Sequence, residues 1–353
     1  MSERIRVLVV DDSAFMRGAI ARVLAADPRF EIVGQAGDGR EAVQLARELE
    51  PSVITMDYNM PGLNGAQATR AILAERAIAI VMLSAHTSEG ARETIEALAA
   101  GAVDFVTKPQ GEVSANVSDV RDELVGKLLA AAGANVGFGQ AEPSSVPSSR
   151  SPQSSRSVVS APRNLPPGTR VVAIASSTGG PAALVRVLPT LHLGDHGALI
   201  IVQHMSPGYT QPLADQLSEV SGVPVREARS GDRIEARVAL VAPGGSHLTV
   251  DRAGRVALDE TPPVHGVRPA ADVTFKSVAQ SYGGRAVGVV LTGMGRDGAL
   301  GLAAIKAAGG RTVAQDRQTS VVYGMPKAAV EMGVVDDVVP LDRVGKVVTK
   351  LIR

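Results

Sequence analysis

A chain of 353 residues is long enough for two domains of ordinary size, each with its own core. Lys plus Arg balances Asp plus Glu, 36 against 36, so no global charge draws the chain to nucleic acid. The absence of cysteine excludes disulfides, thiolate metal sites and a cysteine nucleophile, and no run approaches the roughly 18 apolar residues of a membrane span.

The N-terminal apolar run is too short for the core of a signal peptide, and acids follow it at once, so a soluble cytoplasmic chain is expected. Short Val/Ile runs then alternate with helical patterns. The strand-like runs are I-R-V-L-V-V, E-I-V-G-Q-A, S-V-I-T-M, I-A-I-V-M-L and V-D-F-V, and segments such as F-M-R-G-A-I-A-R-V-L and E-A-V-Q-L-A-R-E-L fill the gaps. Five such βα units predict an α/β domain with a doubly wound parallel sheet, covered on both faces. Composition changes after about residue 135. Ala141 to Gly168 is rich in Ser and Pro, poor in large apolar residues and aperiodic, which reads as a flexible linker. The α/β alternation resumes with V-V-A-I-A, A-L-I-I-V-Q, A-V-G-V-V-L and R-T-V-A-Q, and Val238 to Leu258 reads as a small β insertion. The expected organisation is a first domain over 1–125, a helix end and linker over 126–168, and a second doubly wound domain over 169–353.

Side chains at the C-terminal ends of parallel strands converge on one edge. In the first domain these ends carry Asp11 and Asp12, Asp57, Ser84 and, just beyond the fifth strand, Lys108. Three carboxylates on one edge repel one another unless a hard cation sits among them, and Mg2+ suits oxygen ligands. Lys108 and Ser84 would then hold the oxygens of a phosphoryl group on Asp57, and a cis Lys108–Pro109 bond would aim the lysine inward. Taken alone, the Asp11–Asp12 pair is an equally good helix cap and Lys108 an ordinary solvated lysine.

The stretches V-L-V-V-D-D-S, M-D-Y-N-M-P-G-L-N-G and G-A-V-D-F-V-T-K-P resemble the response-regulator receiver domain over roughly residues 3–125. That resemblance implies a flavodoxin-like fold and a histidine kinase as phosphodonor to Asp57. It implies Mg2+ held by Asp11, Asp12, Asp57 and the backbone of Asn59, with Ser84, Phe105 and Lys108 as switch residues. Asn64 stands where the family usually has Asp, in a loop beyond the site.

In the second domain, V-V-A-I-A runs into S-S-T-G-G-P. Ser177 sits at a strand-to-helix turn, one residue short of the G-x-S-x-G nucleophile elbow. A helix cap or a phosphate-binding turn fits this motif equally well when it is taken alone. A serine nucleophile needs a base and an acid that orients the base. Among the histidines only His204 closes a buried strand at the same edge. Asp297 follows A-V-G-V-V-L and would accept the Nδ1–H of His204. It lies inside G-M-G-R-D-G, whose Gly293, Gly295 and Gly298, with Asp316 further on, also spell a dinucleotide-binding fingerprint. A carboxylate inside that cradle would compete with a pyrophosphate for the same amides. The order Ser, His, Asp differs from the Ser, Asp, His order of α/β-hydrolases.

The stretches S-S-T-G-G-P, I-V-Q-H-M-S-P-G-Y-T, L-V-A-P-G-G-S-H, V-H-G-V-R-P-A-A-D-V-T-F, V-V-L-T-G-M-G-R-D-G and V-V-Y-G-M-P-K resemble the chemotaxis protein-glutamate methylesterase family. The resemblance implies Ser177 as nucleophile, His204 as base, Asp297 as orienting acid and the backbone amides of Thr178 and Met294 as oxyanion donors. It implies methylated chemoreceptors as substrate, no cofactor for the ester reaction, and glutamine deamidation as a second activity. Ala175–Ser176 replaces the family's usual Gly-Ala and puts a second hydroxyl beside Ser177. Two other classes fit parts of the pattern: a dinucleotide-dependent oxidoreductase, and a non-enzymatic response regulator whose output domain binds a partner. No basic recognition helix follows the linker, which disfavours a DNA-binding output.

Overall fold

The computed structural model describes residues 4–85, 87–108, 117–136 and 168–353, without the side chains of 117–120. The linker stretch 141–167, His86 and the Lys108–Pro109 bond lie outside the described residues.

The N-terminal domain follows the expected alternation: β1 (Ile5–Val10), α1 (Ala14–Ala25), β2 (Phe30–Ala36), α2 (Gly39–Leu49), β3 (Val53–Asp57), α3 (Gly65–Glu75), β4 (Ala79–Ser84), α4 (Ser88–Ala99), β5 (Asp104–Thr107) and α5 (Val117–Ala132). The strands pair in parallel in the order β2-β1-β3-β4-β5. Every position of β3 and β4 is buried, because helices cover both faces of the sheet; these strands therefore read as unbroken apolar runs. The boundary expected at residue 125 falls inside α5, and the turns to Ala132 are the helix end expected after it.

The C-terminal domain contains β6 (Arg170–Ser176), α6 (Gly180–Val187), β7 (Gly197–Gln203), α7 (Thr210–Val220), β8 (Val225–Glu227), β9 (Ala239–Val241), β10 (His247–Val250), β11 (Val256–Asp259), α8 (Ala271–Tyr282), β12 (Ala286–Val290), α9 (Ala299–Ala307), β13 (Arg311–Gln315), α10 (Met325–Glu331), β14 (Asp337–Val339) and α11 (Leu341–Leu351). Seven parallel strands form one sheet in the order β14-β13-β12-β6-β7-β9-β8. The four strands legible in the sequence are the long central ones. The insertion expected over 238–258 is smaller than its sequence limits: β9 belongs to the main sheet, and only β10 and β11 form a separate antiparallel pair. Strands of three residues carry too little periodicity to be recognised.

In this order β6 lies between β7 and β12, so the segments leaving these three strands share one edge. The two domains pack together. Helix α4 lies against α6 and α7, and buried apolar residues of both halves, among them Ile95, Leu98, Leu184 and Leu213, belong to one cluster. No helix among the described residues is long and apolar enough to cross a membrane.

Candidate active site and its regulatory neighbour

At the N-terminal edge, Asp11 is fully buried just past β1, Asp57 ends β3, and Asp12 is exposed beside them. Carboxylate oxygens of all three lie within 4.8 Å of one another. The acid pair is not a helix cap: Ser13 caps α1, its hydroxyl accepting the Met16 amide. Lys108 reaches in from beyond β5, with Nζ 2.7 Å from Asp11 and 2.8 Å from Asp57. Burial pushes the Asp57 carboxyl up; Lys108 opposes this, and the net displacement stays upward. Burial alone would push Lys108 down, but Asp11 and Asp57 together outweigh it and hold the ammonium form. Asp11 Oδ2 lies 2.7 Å from that ammonium and has no other hydrogen-bond partner among the described residues. Enclosed, under-satisfied carboxylate oxygens fit a hard divalent cation. Asn64 departs from the family pattern without loss: it caps α3 in a reciprocal capping box with Gln67.

Ser84 and Phe105 end or begin adjacent strands, and both touch the other domain. The phenol of Tyr209 donates to Ser84 Oγ at 2.9 Å, and its ring lies 4.5 Å from that of Phe105, inclined by 32°. Such a tilted pair contributes about 0.5–1.5 kcal/mol beyond area burial.

At the C-terminal edge, Ser177 follows β6, His204 follows β7, and Asp297 lies in the loop after β12. The backbones are tied together. The His204 amide donates to Ser176 O, the Ser177 amide to Thr292 O, and the Gln203 side-chain amide to both Ser177 O and His204 O. Gly293 is required here, since a Cβ on it would stand 2.8 Å from the Ser177 Cβ. His204 Nε2 lies 2.7 Å from Asp297 Oδ2. This differs from the expected ring orientation: Nε2 faces the acid, which leaves Nδ1 without a bond to Asp297. No hydrogen bond joins Ser177 to His204 among the described residues; nucleophile–base contacts in substrate-free sites are often long and tighten on binding.

Burial alone would push the Asp297 carboxyl up. The hydrogen bond from His204 and the Asp272 and Ala271 amides outweigh it, and the carboxyl is held below its ordinary value. Those two amides open α8, so Asp297 sits at the positive end of a helix other than the one following it. Both carboxylate oxygens are thereby occupied. Asp316 is also engaged, accepting the Thr319 amide and hydroxyl within its own turn. One oxygen of Asp316 is thus held inside the turn, and Asp297 has neither oxygen unbonded.

The two adjacent serines differ in their surroundings. Ser176 is fully buried, and its hydroxyl donates to Gln203 Oε1 at 2.7 Å, whereas Ser177 is only half-buried. The Thr178 and Met294 amides make no backbone hydrogen bond among the described residues; Thr178 follows Ser177 directly, and Met294 follows Gly293, which packs against Ser177. The sequence reading missed Gln203, Tyr209 and Asp104. The available signals were a polar residue ending an apolar strand and an acid inside V-D-F-V.

The N-terminal domain grips this turn directly. The Gly179 amide donates to Val103 O at 2.9 Å, and Asp104 carries a further bond to Thr178. Beyond α5, the Asn135 amide donates to Val321 O, opposite the same turn.

A phosphoacceptor-type carboxylate edge and a Ser-His-Asp edge in two packed α/β domains define a response regulator with a hydrolase-type output domain. Residues 172–348 match the family profile described as CheB methylesterase, and residues 7–116 match the response regulator receiver domain. The chain belongs to the CheB methylesterase family. It is 47% identical to a protein-glutamate methylesterase/protein-glutamine glutaminase of Symbiobacterium thermophilum, covering 100% of this chain and 99% of the relative. The protein of the same name from Pyrococcus horikoshii is 43% identical, over 100% of this chain and 95% of its own. The crystal structure of the Thermotoga maritima CheB methylesterase catalytic domain superposes with a TM-score of 0.50 at 38% identity, covering 52% of this chain and 98% of that one.

Proposed function

We propose that the chain is a phosphorylation-regulated hydrolase of glutamate methyl esters on chemoreceptors, with Ser177 as nucleophile, His204 as base and Asp297 as orienting acid. The observation that carries this reading is the His204–Asp297 hydrogen bond, with Asp297 buried, at the sheet edge from which the half-exposed Ser177 emerges. Ser177 Oγ attacks the ester carbonyl and passes its proton to His204 Nδ1. The resulting imidazolium is stabilised by Asp297 through Nε2–H. The oxyanion rests on the Thr178 and Met294 amides, commonly the largest single contribution in such sites. The methoxy C–O bond then breaks, and His204 returns the proton to give methanol. Water, deprotonated by His204, attacks the acyl-enzyme; glutamate leaves and Ser177 regains its proton. A glutamine side chain follows the same path with ammonia departing, which accounts for deamidation.

Regulation enters at Asp57, which a histidine kinase phosphorylates in this reading. Asp11, Asp12, Asp57 and the Asn59 carbonyl would hold Mg2+, which neutralises the carboxylates around the incoming phosphoryl group. Ser84 and Lys108 hold the phosphoryl oxygens. The docked N-terminal domain blocks Ser177, and phosphorylation weakens the docking; the linker read over 126–168 keeps the released domain at high effective concentration.

Methanol release from methylated receptor membranes, with and without Mg2+ and acetyl phosphate, tests the proposal. Faster release with the donor is expected. Release indifferent to the donor would reject the regulation, and no release under either condition would reject the reaction.

A further inference from the structure

Tyr209 belongs to the catalytic domain, five residues beyond His204 and immediately before α7. It is 2% exposed and carries the only phenol hydroxyl on the Ser84 hydroxyl among the described residues. The Ser84 hydroxyl is turned toward Tyr209 and α4. It accepts from Tyr209 at 2.9 Å, lies 2.6 Å from Thr94 Oγ1, and has the carbonyls of Gly90 and Ala85 as acceptors 3.2 and 3.3 Å away. Among the described residues no hydrogen bond joins it to Asp57 or Lys108, so its one proton is directed away from the carboxylate edge. Donation to a phosphoryl oxygen requires Ser84 to move to another staggered rotamer. That rotation carries its oxygen away from the Tyr209 phenol. The neighbouring Phe105 has no hydroxyl of its own, and the Tyr209 ring stacked on it supplies one from across the domain boundary.

We propose that Tyr209 reads the state of the N-terminal domain directly: its phenol and a phosphoryl group on Asp57 compete for the Ser84 hydroxyl. The inference rests on the reading of Asp57 as phosphoacceptor. In the unphosphorylated chain the Tyr209–Ser84 bond anchors the segment Met205–Tyr209, which leads away from the base. Phosphorylation removes this hydrogen bond first, while the Phe105–Tyr209 ring contact and the packing of α4 on α6 and α7 remain. The same event therefore loosens the docking face and frees the segment following His204.

The test is a double-mutant cycle in the full chain: wild type, Tyr209→Phe, Ser84→Ala and the double variant. Phenylalanine keeps the ring on Phe105 and removes only the hydroxyl. Hydrogen exchange of the 205–210 amides is measured without phosphodonor, then with beryllium fluoride and Mg2+ as phosphoryl mimic. Each single variant is expected to raise exchange roughly fivefold without the mimic, the worth of one neutral hydrogen bond, with no further rise in the double variant. The mimic is expected to raise exchange in the wild type and to add little to Tyr209→Phe. Wild-type exchange rates in Tyr209→Phe, or single effects that multiply, would overturn the proposal. Labelled acetyl phosphate separates the two layers. Incorporation into the wild type without an exchange response overturns the competition while leaving Asp57 in its role. Absence of incorporation removes the phosphoacceptor reading, and the inference with it.

Discussion

Thr178, the residue after Ser177, donates its hydroxyl to Asp104 of the N-terminal domain at 2.5 Å, and both residues are buried. Asp104 is held in turn by Lys127 Nζ at 3.2 Å and by the Phe105 amide. The docked domain thus grips the turn Ser177–Gly179 itself, including Thr178, one of the two proposed oxyanion donors.

Replacing Asp104 with alanine removes a hydrogen bond to a charged acceptor, worth about 1.5–3 kcal/mol of docking. Basal esterase activity is expected to rise about tenfold, with a smaller response to phosphodonor. Deletion of residues 1–140 is expected to raise basal activity at least as much. A fall in either case would mean that the docked domain supports the turn rather than restrains it.

The paired serines separate cleanly. Ser177→Ala should lose at least about 10⁴-fold in turnover, as removal of a triad nucleophile does. Ser176→Ala strands the buried Gln203 Oε1 and is expected to cost about 1–3 kcal/mol of stability while retaining turnover. Denaturant melts and methanol release on the same preparations check both expectations, and the reverse pattern would reassign the nucleophile.

Asp297 accepts from three donors, and an asparagine there would present its NH2 to at least one of them. Asp297→Asn is expected to lower turnover about 10⁴-fold. Because the carboxyl is held below its ordinary value near 3.8, it stays ionised through neutral pH. A depressed folded-state value stabilises the fold fully above the unfolded value. That contribution is lost as pH falls through the lower, folded value. The stability gap between wild type and Asp297→Asn, read from urea unfolding, is therefore expected to be constant above about pH 5 and to narrow in strong acid.

Chelation distinguishes the two edges. EDTA is expected to abolish stimulation by acetyl phosphate and to leave basal ester hydrolysis intact, since the proposed metal ligands all lie on the N-terminal edge. Equal loss of both rates would place a metal requirement in the ester reaction itself.

The long central strands were legible because residues buried on both faces read as unbroken apolar runs: A-L-I-I-V-Q gives β7 within one residue of its limits. Most site residues were legible for a related reason: Asp11, Asp57, Ser84, Ser177 and His204 end such a run or directly follow it, whereas Asp297 lies deeper in the loop after β12. Three features were not. Strands β8, β9 and β14 are too short to carry a period. The His204 ring orientation is set by α8, whose amides come from residues 271 and 272 and fix the position of Asp297 from a distant part of the chain. The domain contacts made by Asp104 and Tyr209 depend on how two folded units meet, which no local pattern encodes.

The origin of those α8 amides has a consequence for synthesis on the ribosome. The proposed nucleophile and base are translated near residues 177 and 204, but Asp297 and the amides that hold it come only after residue 270, and α11, against α6, comes later still. All five strands of the N-terminal sheet have been translated well before that. The restraint is therefore complete before there is anything to restrain, and a nascent chain passes through no stage at which a competent esterase stands without its inhibitor.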